Sequence, residues 1–185
     1  MSKTIESAVL HAAEAALAHM VKTTKMDGSK IISEGVLYET INHTLQARGD
    51  GWVSHEYPVK LRRAGASPGK AGDHKRVDFA ALVDEKVVLI EVKIASRKSL
   101  KRTVNVTGDM EKLCSALPLN ANAKPISKKS FLIVFNMATK DTHGEKGGWI
   151  VWDGKPDESA VKLIGRYLYK SHGFVRTAAV FKITQ

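Results

Sequence analysis

The stretch Val77–Lys93, VDFAALVDEKVVLIEVK, decides the fold. It consists of two apolar runs around a central DEK, and its other charges stand at Asp78, Glu91 and Lys93. Read as strands Val77–Val83 and Val87–Lys93 with a two-residue turn at Asp84-Glu85, it makes an antiparallel hairpin. Val83 then faces Lys86, and Asp78 faces Glu91. Strand side chains alternate, so Val77, Phe79, Ala81, Val83, Val88, Ile90, Val92 and Ile94 share one face, broken only by Lys86 at the turn. The other face carries Asp78, Ala80, Leu82, Val87, Leu89, Glu91 and Lys93. A slip by one residue would mix charge into the apolar face, so the parity is strongly specified. A slip by two preserves both faces and leaves the exact partners open.

Directly opposed residues hold their Cβ atoms roughly 4.5–5.5 Å apart. Two carboxylates that close need a cation between them, or one must keep its proton. One reading is an Asp–Lys–Glu ion network on a solvated sheet face. Against it, Ala80, Leu82, Val87 and Leu89 call for burial of that same face, and buried charges need partners or a metal. Two carboxylates are hard oxygen ligands suited to Mg²⁺ or Mn²⁺. A lysine beside them can orient a metal-polarised water or stabilise charge developing on phosphate.

VDFAAL followed by LIEVK resembles the PD-(D/E)XK nuclease superfamily, the restriction-endonuclease-like fold. The resemblance covers roughly Ile32 to Met137, with Val77 standing where the family name has Pro. It extends to DMEKL and the apolar strand FLIVF after the motif. It implies a mixed central sheet flanked by helices and a metal-dependent nuclease hydrolysing phosphodiester bonds, most simply in DNA. It further implies Mg²⁺ (or Mn²⁺) held by Asp78, Glu91 and the backbone carbonyl of Val92, with Lys93 assisting the water. The family usually adds an acid from a helix before the sheet. SEGVLYETINHTLQARG offers Glu34 on the apolar face with Tyr38, Ile41 and Leu45, and Glu39 on the polar face. Glu34 is the first choice; Glu39 stays open, as does a plain helix-dipole role for Glu34. Glu56, on the preceding strand, either approaches the site or faces solvent.

Lys and Arg total 29 against 19 Asp and Glu, a net charge of +10. That favours a polyanionic partner, nucleic acid before an anionic membrane surface. Two basic clusters flank the hairpin: Arg62, Arg63, Lys70, Lys75 and Arg76 before it, and Arg97, Lys98, Lys101 and Arg102 after it. Both leave from the ends that carry the acids, where they can hold phosphates without reading bases. Nucleases acting on duplex DNA often pair to cut both strands, so a homodimer is compatible, though the sequence carries no interface signal. The competing reading is a non-catalytic nucleic-acid-binding or protein-interaction module that keeps the nuclease fold.

The rest of the 185 residues reads as one α/β domain, with a core about 32–137, an N-terminal helix and a C-terminal β-α-β extension. Helices are expected from about Thr4 to Val21, from Ser33 to about Arg48, over DMEKLCSALP, and from about Pro156 to Lys170. Further strands are expected at Trp52–Leu61, SFLIVFNMA, GGWIVWDG and FVRTAAVFKI. Cys114 is the single cysteine, which excludes an internal disulfide and points to a reducing compartment. The first segment is interrupted by Glu6, His11 and Glu14, unlike a signal peptide. No apolar run reaches the roughly 18 residues of a membrane span. The expectation is a cytoplasmic protein. His143 has no second His or Cys at ligand spacing, and Trp149 and Trp152 read as packing residues before base-stacking ones.

Overall fold

The computed structural model describes residues 4–27, 34–47, 53–61, 74–83, 86–95, 103–104, 107–117, 127–136, 151–152, 160–171 and 174–184. Helices α1 (Ile5–Asp27) and α2 (Glu34–Gln46) are followed by strands β1 (Val53–Leu61), β2 (His74–Val83), β3 (Lys86–Ala95) and β4 (Thr103–Val104). Helix α3 (Thr107–Ser115) precedes β5 (Ala116–Leu117), β6 (Lys128–Asn136), β7 (Val151–Trp152), β8 (Val161–Ser171) and β9 (Phe174–Ile183). The main sheet runs β5-β1-β2-β3-β6-β9-β8, and β4 pairs with β7 separately. The chain is therefore mixed α/β. β3 and β6 are parallel while their outer neighbours are antiparallel. A parallel pair needs a crossover, and α3 lies in it.

The hairpin register is the expected one. Val83 pairs with Lys86, Ala81 with Val88 and Phe79 with Ile90. Phe79, Ala81, Val83, Val88, Ile90 and Val92 face α1 and α2, packing with Leu17, Met20, Leu37, Ile41 and Leu45. Ala12, Ala13 and Ala16 are fully buried on α1, small enough to bring that helix close to its neighbours. Lys182 Nζ of β9 donates to Glu6 Oε1 at 2.7 Å, tying α1 to the sheet. Ala80, Val87 and Leu89 face the other way, toward Leu113 of α3, with Leu82 partly buried beside them. The sheet thus lies between an α1/α2 layer and α3.

One member of the expected apolar face moves. Val77 packs with Ala80 and Leu113, on the side opposite Phe79. The same switch occurs on β1: His55 meets Tyr38 edge-to-face and Phe79 at a tilt, whereas Tyr57 packs with Val77's cluster. The pairs His55–Phe79 and Tyr57–Val77 flank Glu56 and Asp78, which form no ladder pair themselves. Glu56 has φ 54°, a left-handed conformation that L-residues with a Cβ rarely adopt. Both strands turn over together at this level, and strict alternation fails there.

The expected helix from about Pro156 to Lys170 is a correction: Val161–Ser171 is strand β8, paired along its length with β9. Val161, Ile164, Tyr167 and Tyr169 favour a pleated surface, and Gly165 disfavours a helix interior. The register shifts between Leu163 and Gly165. This bulge turns Ile164 and Tyr167 toward α1 and leaves Leu163 and Leu168 39% and 42% exposed. A Cβ at Gly165 would run into Leu10 of α1. The helical spacing of Leu163, Ile164, Tyr167 and Leu168 had mimicked an amphipathic stripe. Among the described residues, no helix is long and apolar enough to cross a membrane.

Candidate functional site

The ladder between β2 and β3 ends at Phe79–Ile90, one pair short of Asp78 and Glu91. From there β2 departs, and the Asp78 side chain takes over the missing acceptor: the Val92 amide donates to Asp78 Oδ2 at 2.7 Å. The local turn-over at Glu56 and Asp78 makes this possible, because it releases β2 from β3 while β3 continues along β6 to Ala95.

Glu91 is 2% exposed and faces α3. Burial, and then the neighbouring Asp78 charge, push its carboxyl up to about 8 even though the Lys112 ammonium works in the other direction. Lys112 Nζ lies 2.5 Å from Glu91 Oε1. The same Nζ lies 3.5 Å from Asp109 Oδ1 and donates to the Arg76 carbonyl at 2.8 Å. Lys93 Nζ pairs with Asp109 Oδ2 at 2.9 Å. Burial alone would lower the Lys93 pKa, but Asp109, Glu91 and Asp78 outweigh it and hold the ammonium charged.

The three motif residues, Asp78, Glu91 and Lys93, are thus brought together with Asp109 and Lys112, a pair the sequence reading did not single out. GDMEKL does not mark them, since charges three apart on a short helix read equally well as a solvated face. Asp109 and Lys112 stand three apart on one helix face, and Leu113, beside Lys112, is fully buried, so the charged face turns inward. β6 holds the far end of α3. Lys128 Nζ donates to the carbonyls of Leu113 at 2.7 Å and Cys114 at 2.9 Å, which a helix C-terminus leaves without intrahelical partners, and to that of Ala116 at 2.5 Å at the start of β5. Burial lowers the Lys128 pKa to about 8.

The other expected residues divide. The backbone of Glu34 opens α2, in the layer opposite α3; its side chain lies outside the described residues. Glu39 is exposed, 3.9 Å from His43. Glu56 is exposed on β1. Lys75 and Arg76 are exposed but belong to β2, paired with Val59 and Pro58, rather than to a loop. Arg62, Arg63, Lys70, Arg97, Lys98, Lys101, Arg102, His143 and Trp149 lie outside the described residues. Trp152 lies on β7, beside Val104 of β4. Cys114 is half-buried, and burial pushes its thiol up, away from the reactive thiolate.

Among the described residues, no group of three or more His, Cys, Asp or Glu side chains is arranged to hold a metal ion. Asp109 is turned toward the two lysines. What remains is a pair, Asp78 and Glu91, whose hard oxygens are of the kind that suit Mg²⁺ or Mn²⁺. The donor chemistry fits such an ion. No family model, curated protein or solved structure matches the chain.

Proposed function

We propose that the chain is a metal-dependent nuclease of the PD-(D/E)XK type, with a restriction-endonuclease-like sheet, acting on DNA. The observation that carries this reading is the meeting of Asp78, Glu91 and Lys93 at the point where β2 leaves β3. Asp78, Glu91 and the Val92 carbonyl would hold Mg²⁺ or Mn²⁺, which would supply Lewis acidity toward a phosphate oxygen and lower the pKa of a water. Lys93 orients that water toward phosphorus, and Asp109 fixes the Lys93 ammonium for the task. The water would lose one proton to solvent as its oxygen bonds to phosphorus, the bond to the leaving sugar oxygen would break, and that oxygen would take up a proton from solvent. The net charge of +10, with Lys75 and Arg76 exposed on the strand that carries Asp78, suits a phosphodiester backbone.

A second reading has its own observation. Lys93 is matched to Asp109 and Lys112 to Glu91, so the charges close on one another. A nucleic-acid-binding or protein-interaction module that keeps the nuclease fold needs no more. Incubation of supercoiled plasmid with the protein in Mg²⁺ or Mn²⁺, beside EDTA and Lys93→Ala, separates the two. Nicking that needs both the metal and Lys93 is the expected result. Intact plasmid in every lane, together with unchanged DNA affinity in Lys93→Ala, favours the binding module.

A further inference from the structure

Lys112 has no part in the nuclease scheme, yet it makes more polar contacts in the site than any motif residue. Its ammonium meets Glu91 Oε1, Asp109 Oδ1 and the Arg76 carbonyl, and its side chain is 16% exposed. Of these three partners Glu91 is the one that also belongs to the ion's ligand set, and a tethered ammonium already stands against it.

We propose that Lys112 is a built-in substitute for the divalent ion, and that an ion engages Glu91 only as the Lys112 ammonium withdraws. The inference rests on the nuclease reading above. Its physical basis is exclusion. An ion held at roughly 2.0–2.6 Å from a carboxylate oxygen shares that oxygen's surroundings with an ammonium already in contact, and the two like charges repel strongly in a buried place. The four-carbon lysine stem rotates freely enough to take the charge elsewhere. Without the ion, Lys112 spares Glu91 an uncompensated burial. With the ion, Lys112 is released at the mouth of the site, where a polyanion arrives. Asp109 then keeps Lys93 as its remaining lysine partner.

Calorimetric titration with Mn²⁺ tests this on four proteins: the native chain, Lys112→Met, Lys112→Arg and Glu91→Gln. Lys112→Met is expected to bind Mn²⁺ about tenfold or more tighter than the native chain. Lys112→Arg, which keeps the charge, is expected to bind no tighter than native, and Glu91→Gln is expected to lose the site. Equal Glu91-dependent affinity in the native chain and Lys112→Met overturns the inference but leaves the nuclease reading standing. Absence of Glu91-dependent binding in every protein overturns both. Should Lys112→Met fail to fold, the native chain still decides: its Lys112 ammonium nitrogen resonance, followed with diamagnetic Mg²⁺, is expected to shift or vanish at saturation. A resonance unmoved at saturating Mg²⁺ overturns the inference.

Discussion

Asp78 stands in for a strand: its Oδ2 accepts the Val92 amide at 2.7 Å, where the β2 backbone has left the ladder. One carboxylate therefore carries two duties, closing β3's hydrogen bonding and supplying charge to the site. The duties separate by substitution. Asp78→Asn keeps an acceptor for Val92 and loses the charge, so stability is expected to hold within about 1 kcal/mol while plasmid nicking disappears. Asp78→Ala removes the acceptor from a buried amide and is expected to cost about 1–3 kcal/mol. Urea unfolding of the two variants, beside the cleavage assay, checks both. Equal stability losses in Asn and Ala would mean that Val92 does not depend on this acceptor.

Glu91 sets a pH dependence whose sign follows from its raised pKa. The folded carboxyl titrates near 8 and the unfolded one near the ordinary carboxylate value of 4.5, so the folded state binds more protons between those limits. Stability from this group is complete below pH 4.5 and declines as pH rises toward 8, by up to about 1.4 kcal/mol per unit. Denaturation midpoints measured from pH 5 to 8 should fall, and Glu91→Gln should flatten the slope. Mg²⁺ or Mn²⁺ is expected to oppose the decline, because an ion at the site favours the ionised form. A flat native profile would place Glu91 in a far better compensated setting than its burial implies.

Lys128 anchors the helix that presents Asp109 and Lys112. Two of its three donated bonds satisfy C-terminal carbonyls of α3 and the third holds Ala116 at the start of β5, and Ser130 Oγ adds a longer bond to Leu113 at 3.3 Å. Lys128→Met keeps the stem and removes the donors. The expected result is a loss of about 1–3 kcal/mol and faster amide exchange in α3 than in β3 or β6. Cleavage should fall with it, since Lys93 loses a fixed partner when Asp109 moves. Unchanged exchange in α3 would assign the helix's position to Leu113 packing instead.

The hairpin was legible in the sequence because its two faces differ sharply in chemistry: Val88, Ile90 and Val92 on one side, Glu91 and Lys93 on the other. Any odd slip would bury charge. Even the pairing of Val83 with Lys86 followed from a two-residue turn. Val77 was misplaced because alternation is a rule about regular strands, and nothing in VDF announces that β1 and β2 turn over at Glu56 and Asp78. β8 was misread because Leu163, Ile164, Tyr167 and Leu168 carry a helical spacing, and that stripe outweighed the nearby strand β9, whose pairing with β8 begins at Ser171 and Phe174. Asp109 and Lys112 gave no such signal, since charges three apart on a short helix read equally well as a solvated face. They were passed over in favour of Glu34 because the family's fourth acid was sought before the sheet, not after it.

Glu56 offers a test of the turn-over itself. Its φ of 54° is imposed by neighbours that pair normally on both sides, His55 with Phe79 and Tyr57 with Val77. A left-handed residue with a Cβ carries about 1–2 kcal/mol of strain, and glycine carries almost none. Glycine also costs about 0.5–1 kcal/mol more chain entropy on folding. Glu56→Gly should therefore stabilise the protein by a few tenths to about 1 kcal/mol, whereas Glu56→Ala, with the same Cβ, should be near neutral. Thermal melting of the two variants makes the comparison, with cleavage as a second readout. A gain in the glycine variant with cleavage intact would assign Glu56 to backbone shape alone. A gain with cleavage lost in both variants would bring its carboxylate into the site, on the strand beside Asp78.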